Sequence, residues 1–523
     1  MTNKSYHLTT GKEDFNSLFY HKGIYVDPVE GTSILIEGGA GVGKTTLAIE
    51  LVLNALKHTY AKATVLYYLF DQTVREIKLM IENLKGPEEI QIKGVNWPGE
   101  FERDTDYTGI FNIIEAKGIE TGVEKQTSLI RKHVDTIDQD IQKIVVIDSV
   151  GANSGLARLE RGKVSHFLDE LKELKSILIL IREHDKKSEA PQIEYLTNLV
   201  IDLQVQESLI GQNTTERVFK TTMEIKKSRN QPSLRGPHEF EIISSDQRKN
   251  ESSGFVVYPS LPAIAALYNL SPELNDFGSP FALFHIEPLD KELALPLIND
   301  QGQITAEKSG IPYGHSLLLK GPPGNKKTEL AVKFLLEDNL DEKVLFVSCR
   351  IDEVALRQLD IFKGPQSKEY YNTLKNKLVF IDARDPYKTP AQIIAKIRAA
   401  VESEGKVQIR KAVIFGIGML ETLPLFRGHV LHFLQVLLAY FKNKRVCSIW
   451  VDWKLSTEYT PGLQSDFAIN LVAAALSVEQ FQVSENESKV LLKVIRKNFR
   501  SYQKKIGFLE FDQDKTLTVK KSG

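Results

Sequence analysis

Short apolar runs recur along the first half of the chain, and between them lie stretches whose apolar residues fall at helical spacing. Ser33-Ile34-Leu35-Ile36 reads as a strand, followed by a glycine-rich turn and an apolar helix from Thr45 to Lys57. Strands follow at Val65 to Leu69, Ile110 to Ile114 and Ile144 to Ile147, with a helix around Gln126 to Gln139 before the last. A helix from Arg161 to Leu174 leads to a strand at Ile177 to Ile181. Strands alternating with helices predict a mostly parallel sheet with helices on both faces. The character then changes. Leu199 to Val205, Val218 to Lys226 and Glu239 to Ile243 read as strands with few helices between them, which predicts an antiparallel extension at the sheet edge.

The second half repeats the pattern. Ser316-Leu317-Leu318-Leu319 is strand-like, followed by a Gly/Pro turn and a helix from Thr328 to Glu337. Further strands are expected at Val344 to Ser348, Leu378 to Ile381, Ala412 to Phe415 and Val446 to Trp450, then at Phe467 to Val472, Val490 to Ile495 and Gly507 to Phe511. The polar segment Ser244 to Ser253 and the Pro-containing stretch from Tyr258 to Pro280 read as loop and linker. The expectation is an α/β chain of two tandem domains, 1–258 and 259–523.

Composition narrows the class. With 67 Lys+Arg against 68 Asp+Glu, net charge gives no global attraction to nucleic acid or anionic lipid. The two cysteines, Cys349 and Cys447, have no metal spacing and form no disulfide framework. The polar N-terminus lacks an apolar signal core, and the apolar run Phe467 to Leu476 is too short to span a bilayer. The expected location is the cytoplasm. The histidines show no paired metal spacing.

The chemistry concentrates in Gly38-Gly39-Ala40-Gly41-Val42-Gly43-Lys44-Thr45-Thr46. Its glycines let successive backbone N–H groups face phosphates, and the helix that follows adds its positive end. In that pattern Lys44 reaches the β and γ phosphates of ATP, and the Thr45 hydroxyl ligates Mg²⁺. Ile144-Val145-Val146-Ile147 ends in Asp148, where a carboxylate would orient magnesium water at the sheet edge. The strand Val65 to Leu69 runs into Phe70-Asp71-Gln72 at the same edge. Asp71 and Gln72 are candidates for orienting the attacking water. Equally, Asp71 or Thr73 could cap the helix Val74 to Leu84.

These residues resemble the KaiC family of RecA-like ATPases, which is related to RadA-like recombinases. EGGAGVGKTTLAIE is similar to that family's glycine loop and VVIDSV to its Walker B strand. The resemblance spans nearly the whole chain as two RecA-like lobes. It implies that Glu183, at the end of the segment from Arg161, is a polar site residue. It implies too that Lys227 and Arg229 of Lys227-Ser228-Arg229 act in trans on a neighbouring subunit's γ-phosphate, in a ring with a hexamer favoured. A basic edge strand that blocks aggregation is the alternative reading for these cations and Lys226. Family members carry two glutamates where this chain has Asp71-Gln72, which points to slow hydrolysis.

The second copy departs further. In Gly321-Pro322-Pro323-Gly324-Asn325-Lys326-Lys327-Thr328, Lys326 replaces the glycine before the lysine, and its side chain is expected to distort the cradle. The strand Ala412 to Phe415 ends in Gly416 with no acid before Glu421, and Cys349-Arg350 stands where an acidic pair is expected. Pro461-Gly462-Leu463 occupies the loop that carries a Ser–Thr phosphorylation pair in clock-type members, so no autokinase activity is expected. Arg496, Lys497, Arg500, Lys504 and Lys505, with Phe499 and Tyr502, form a basic run that reads as a solvated edge or subunit contact. The leading function is an ATP-driven regulator that acts through assembly or an unidentified protein partner. A DNA-handling RecA/RadA-like ATPase and a non-hydrolysing ATP-gated scaffold are the alternatives.

Overall fold

The computed structural model describes residues 6–59, 62–84, 91–96, 109–116, 123–150, 161–173, 175–183, 192–209, 217–244, 253–268, 281–298, 304–322, 324–336, 342–362, 372, 376–403, 409–452, 471–484, 487–497, 500–512 and 517–520. It divides into two compact units, Met1–Ala263 and Ile264–Gly523.

In the first unit the strands are β1 Tyr6–Leu8, β2 Ile24–Val26, β3 Thr32–Gly38, β4 Ala63–Leu69, β5 Gln91–Asn96, β6 Ile110–Glu115, β7 Gln142–Asp148 and β8 Ile177–Glu183. They continue as β9 Leu199–Leu209, β10 Arg217–Ser228, β11 His238–Ile243 and β12 Gly254–Tyr258. The helices are α1 Glu13–Ser17, α2 Lys44–Asn54, α3 Val74–Leu84, α4 Val123–Thr136, α5 Arg161–Glu173 and α6 Gln192–Leu196. The large sheet has the order β12-β11-β10-β9-β3-β8-β7-β4-β6-β5. Strands β3 to β9 form one parallel run, and β10, β11 and β12 add antiparallel strands beyond β9.

Strand periodicity splits the apolar runs between two cores. Ile34 and Ile36, Tyr67 and Leu69, Ile144 and Val146 and Ile179 and Ile181 face α2, where Leu47, Leu51 and Val52 complete one core. Leu35, Leu66, Tyr68, Val145, Ile147 and Leu178 face the other way, against Ile130 and Val134 of α4 and Phe167 and Leu168 of α5. A sheet covered on both faces needs continuous apolar strands, so these runs lack the alternation of a one-sided sheet. The second core also holds a buried polar pair, the Tyr68 hydroxyl and His133 Nδ1 at 2.9 Å.

His238, at the start of β11, is buried with Nε2 3.1 Å from the Leu234 carbonyl, and its Nδ1 accepts from Ser260 N–H. Burial lowers the ring's pKa below its ordinary value of 6.5. The folded ring therefore takes up a proton at lower pH than the unfolded chain does. Its contribution is whole above about pH 6.5 and is lost progressively below, by at most about 1.4 kcal/mol per pH unit. A glutamine can keep the donor to the Leu234 carbonyl without titrating. Thermal melts from pH 7.5 to pH 5 should therefore show a shallower acid decline for His238→Gln than for the native protein. Equal declines would remove this histidine from the account.

In the second unit the strands are β13 Phe281–Ala282, β14 Leu295–Ile298, β15 Ile304–Lys308, β16 Ile311–Pro312, β17 Ser316–Lys320, β18 Lys343–Ser348, β19 Leu378–Asp382, β20 Ile409–Phe415 and β21 Cys447–Val451. The last are β22 Ala474–Ser484, β23 Glu487–Lys497, β24 Arg500–Phe511 and β25 Leu517–Lys520. The large sheet runs β19-β18-β20-β21-β17-β22-β23-β24-β25, again parallel at the centre with an antiparallel extension, here beyond β22. Both units thus have the two-sided, mostly parallel α/β architecture expected of tandem RecA-like domains.

Several local expectations change. Part of the expected linker is ordered, because Leu261–Tyr268 forms a helix. The strand expected at Phe467 to Val472 is displaced: Val472 precedes β22, and residues 467–470 lie outside the described residues, as does Pro461-Gly462-Leu463. Two long helices, Pro390–Val401 and Val430–Asn443, are additions. The first opens on a capping box between Thr389 and Gln392, a signal present in Thr389-Pro390-Ala391-Gln392.

Candidate nucleotide site

The glycine loop leaves the sheet at the end of β3. Gly38 has a φ of 153°, and a Cβ there would lie 2.2 Å from the Leu203 carbonyl oxygen on β9, so no larger residue fits this exit. Gly43, at φ 105°, stands at the N-terminal end of α2. A Cβ on it would lie 2.5 Å from Ile242 Cδ1. Between them Gly39, Ala40 and Gly41 are exposed at the mouth, while Val42 turns into the core. Lys44 and Thr45 form the buried first turn of α2, and Thr46 is half-buried.

Lys44 Nζ donates to the carbonyls of Gly38 at 3.1 Å and Gly39 at 2.6 Å. Burial lowers its pKa, against the opposing pull of Glu183 and Asp148. The Thr45 hydroxyl donates to Asp148 Oδ2 at 3.0 Å. Burial raises the pKa of the Asp148 carboxyl, although hydrogen bonds from Tyr67 and Thr45 favour its charged form. Tyr67, on β4, donates to the same oxygen at 2.7 Å. In the sequence this tyrosine is one residue of the apolar run Val65 to Leu69. A hard-oxygen pair, one hydroxyl and one carboxylate, beside a phosphate-cradling loop fits Mg²⁺, which uses few protein ligands and takes the rest from phosphate and water. Among the described residues no cluster of three or more His, Cys, Asp or Glu could hold a metal by itself.

The β4 edge brings Asp71 and Gln72 to this site. Phe70 N–H donates to the Asp148 carbonyl at 2.8 Å, and the Ser149 hydroxyl donates to the Asp71 carboxylate. Thr73 caps α3: its hydroxyl accepts from Glu76 N–H at 3.3 Å, and the Glu76 carboxylate accepts from Thr73 N–H at 2.7 Å. The cap therefore falls to Thr73 and leaves the Asp71 carboxylate toward Ser149. Gln72 Oε1 is a buried acceptor with no partner among the described residues. Glu183 ends β8, paired in register with Gly38, and its charge reaches Lys44.

Lys227 and Arg229 are not brought to their own chain's loop. Lys227 Nζ donates to the carbonyls of Glu194 at 2.6 Å and Tyr195 at 2.8 Å, and Arg229 donates to the Tyr195 carbonyl. A bulge in β10 between Ile225 and Lys227 separates Lys226 from them. Lys226 reaches Glu37 at 3.2 Å and Asp202 at 2.8 Å, both fully buried, and Arg182 joins Glu37 to Glu194. This ionic network lies beside the loop, since Glu37 precedes Gly38.

In-register pairing lets the two units be compared position by position. Asp148 pairs with Ile181, which pairs with Ile36, two residues before Gly38. Phe415 pairs with Val451, which pairs with Leu319, two residues before Gly321. Phe415 thus stands where Asp148 stands. The same ladders set Ser348 opposite Phe415 as Leu69 is opposite Asp148, so Arg350 takes the place of Asp71 and Ile351 that of Gln72. The acidic pair is thus replaced by Arg350-Ile351, one residue later than the expected Cys349-Arg350. Lys326 does not unwind the loop: it adopts φ 56°, and its amine lies 5.0 Å from the Phe511 ring centroid. Lys327 still turns to the carbonyls of Gly321 and Pro322, its pKa lowered by burial to about 8. In the basic run, Lys497 faces Arg500 across the β23–β24 hairpin, and Lys504 pairs with Glu292 at 2.5 Å. Among the described residues no helix is long and apolar enough to cross a membrane.

Residues 8–247 match the family model described as the KaiC ATPase. No curated protein matches the chain.

Proposed function

Because residues 8–247 belong to the KaiC family of RecA-superfamily P-loop ATPases, we propose that the first unit binds Mg-ATP and hydrolyses it slowly, and that the bound nucleotide governs ring assembly or the docking of a protein partner. The observation that carries this reading is the meeting of Lys44, Thr45 and Asp148 at one glycine loop, with Thr45 and Asp148 3.0 Å apart. The loop N–H groups and Lys44 hold the phosphates, and Lys44 exchanges its Gly38 and Gly39 carbonyls for phosphate oxygens. Thr45 and Asp148 hold magnesium, which supplies charge neutralisation at the phosphates. Asp71 and Gln72 orient water, with Gln72 Oε1 as the acceptor that still lacks a donor. A glutamine accepts a hydrogen bond but is a poor proton acceptor, which is the reason slow turnover is expected. The second unit, with Phe415 and Arg350 at the key positions, supports the assembly without hydrolysis.

The direct test is phosphate release by the full chain with magnesium or chelator, with size measured by light scattering with and without ATP. Magnesium-dependent turnover and an ATP-dependent increase in size are expected. Neither turnover nor a size change would end this reading, and ATP-dependent assembly without turnover would favour a nucleotide-gated scaffold.

The trans role of Lys227 and Arg229 has its own measurement. Lys44→Ala and Arg229→Ala proteins should each be nearly inactive alone. Mixed, they should recover a fraction of native turnover, because some borders then join an intact loop to an intact Arg229. Absence of recovery in mixtures shown to co-assemble would confine Arg229 to its intrachain contact with Tyr195.

A further inference from the structure

We propose that Tyr67 is a positioning residue for the magnesium site: its buried hydroxyl fixes Asp148 so that this carboxylate and the Thr45 hydroxyl stand ready as a pair of oxygen ligands. The inference rests on the reading of Asp148 as the magnesium carboxylate.

Tyr67 is fully buried on β4, and its ring stacks on Phe111 of the neighbouring β6 with centroids 5.6 Å apart. Its hydroxyl donates to Asp148 Oδ2 at 2.7 Å, the same oxygen that accepts from Thr45 at 3.0 Å. Two donors from different elements, β4 and α2, therefore converge on one carboxylate oxygen at the end of β7. Any buried hydroxyl needs an acceptor, so this contact alone could be a core tyrosine satisfying itself on the nearest oxygen.

The second unit separates the two readings. By the register that sets Ser348 in the place of Leu69, Phe346 occupies the place of Tyr67. There the acid is gone, replaced by Phe415, and the hydroxyl is gone with it. Phe346 and Phe415 fill the space with rings 5.9 Å apart, and Phe346 keeps an aromatic neighbour in Phe380. The aromatic ring at this position serves packing in both units. The hydroxyl is present where the carboxylate is present and absent where it is absent. Partners behind a metal ligand fix its orientation, and their loss typically weakens metal binding by about 10–100-fold.

The test is a magnesium titration of a fluorescent ATP analogue bound to the full-length protein, with a parallel measurement in chelator. Native protein, Tyr67→Phe, Asp148→Asn and the double variant are compared. Phenylalanine is the residue that the second unit uses at this place, and unchanged affinity in chelator reports an intact loop. Tyr67→Phe should raise the magnesium half-saturation by about 10-fold and leave chelator affinity within about twofold. In the Asp148→Asn background it should add nothing, because Tyr67 acts through that carboxylate. A half-saturation within about twofold of native for Tyr67→Phe, while Asp148→Asn raises it, would overturn the role of Tyr67 alone. Effects of the two substitutions that simply add would do the same. No change in Asp148→Asn would instead overturn the assignment of the magnesium carboxylate, and this proposal with it.

Discussion

Replacing Lys44 with alanine should lower ATP turnover by roughly a hundredfold or more, the scale seen when one preorganised donor is removed from developing charge. The same change at Lys327 should leave turnover within about twofold of native. Both amines lie in the same place on their loops, turned to the two carbonyls at the start of the glycine run. What separates them lies across the site. Lys44 faces Asp148 and Glu183, with Asp71 beside Asp148. Lys327 faces Arg350 as well as Asp452, with a phenylalanine at the Walker B position. Steady-state phosphate release at saturating Mg-ATP decides the matter. Loss of turnover in Lys327→Ala with retention in Lys44→Ala would move the activity to the second unit.

Glu37→Ala should be the most damaging substitution to the first unit's stability that leaves the phosphate loop's own residues untouched. Glu37 has no exposed surface and lies between Arg182 and Lys226. Removing Glu37 takes one of two carboxylate partners from each cation, leaving Arg182 with Glu194 and Lys226 with Asp202, at a cost of up to about 3–5 kcal/mol. Lys226 keeps 35% of its side chain in water and Arg182 only 11%, so most of the loss is expected through Arg182. For a unit of this size the melting temperature should fall by on the order of 10 °C. Calorimetry of the full chain reads this as a shift of one transition. A shift of under about 2 °C would mean that Arg182 finds its compensation in Glu194 and that Glu37 contributes little.

The parts legible in the sequence were those written in contiguous residues. The glycine loop with Lys44 and Thr45, and the apolar strand ending in Asp148, declare themselves within a few positions. Strands β3, β4, β7 and β8 were visible because burial on both faces makes each a continuous apolar run. Strand β5, Gln91–Asn96, escaped because it pairs on one side only and its sequence, QIKGVN, has just two separated apolar side chains, Ile92 and Val95. The helix Val430–Asn443 is apolar round much of its circumference, which blurs the helical period. Tyr67 sat inside an apolar run, and its partner Asp148 lies 81 positions away. Pairings of that separation, like those among Glu37, Arg182, Asp202 and Lys226, exist only once the sheet register is set. The ambiguity over Asp71 had the opposite cause. Two local explanations competed for one stretch, and the Thr73–Glu76 box resolved it.

The paired phenylalanines of the second unit bear on what it would take to build a magnesium site there. With Phe346 and Phe415 in contact, an aspartate placed at position 415 alone would be buried with no tyrosine hydroxyl to receive it. A tyrosine placed at 346 alone would meet the Phe415 ring where Tyr67 meets the Asp148 carboxylate. Each single step costs free energy before the second can repay it. Building such a site in the second unit would therefore take at least two coordinated changes. The two units are in this sense chemically asymmetric: one brings a hydroxyl and a carboxylate together behind its loop, the other two aromatic rings.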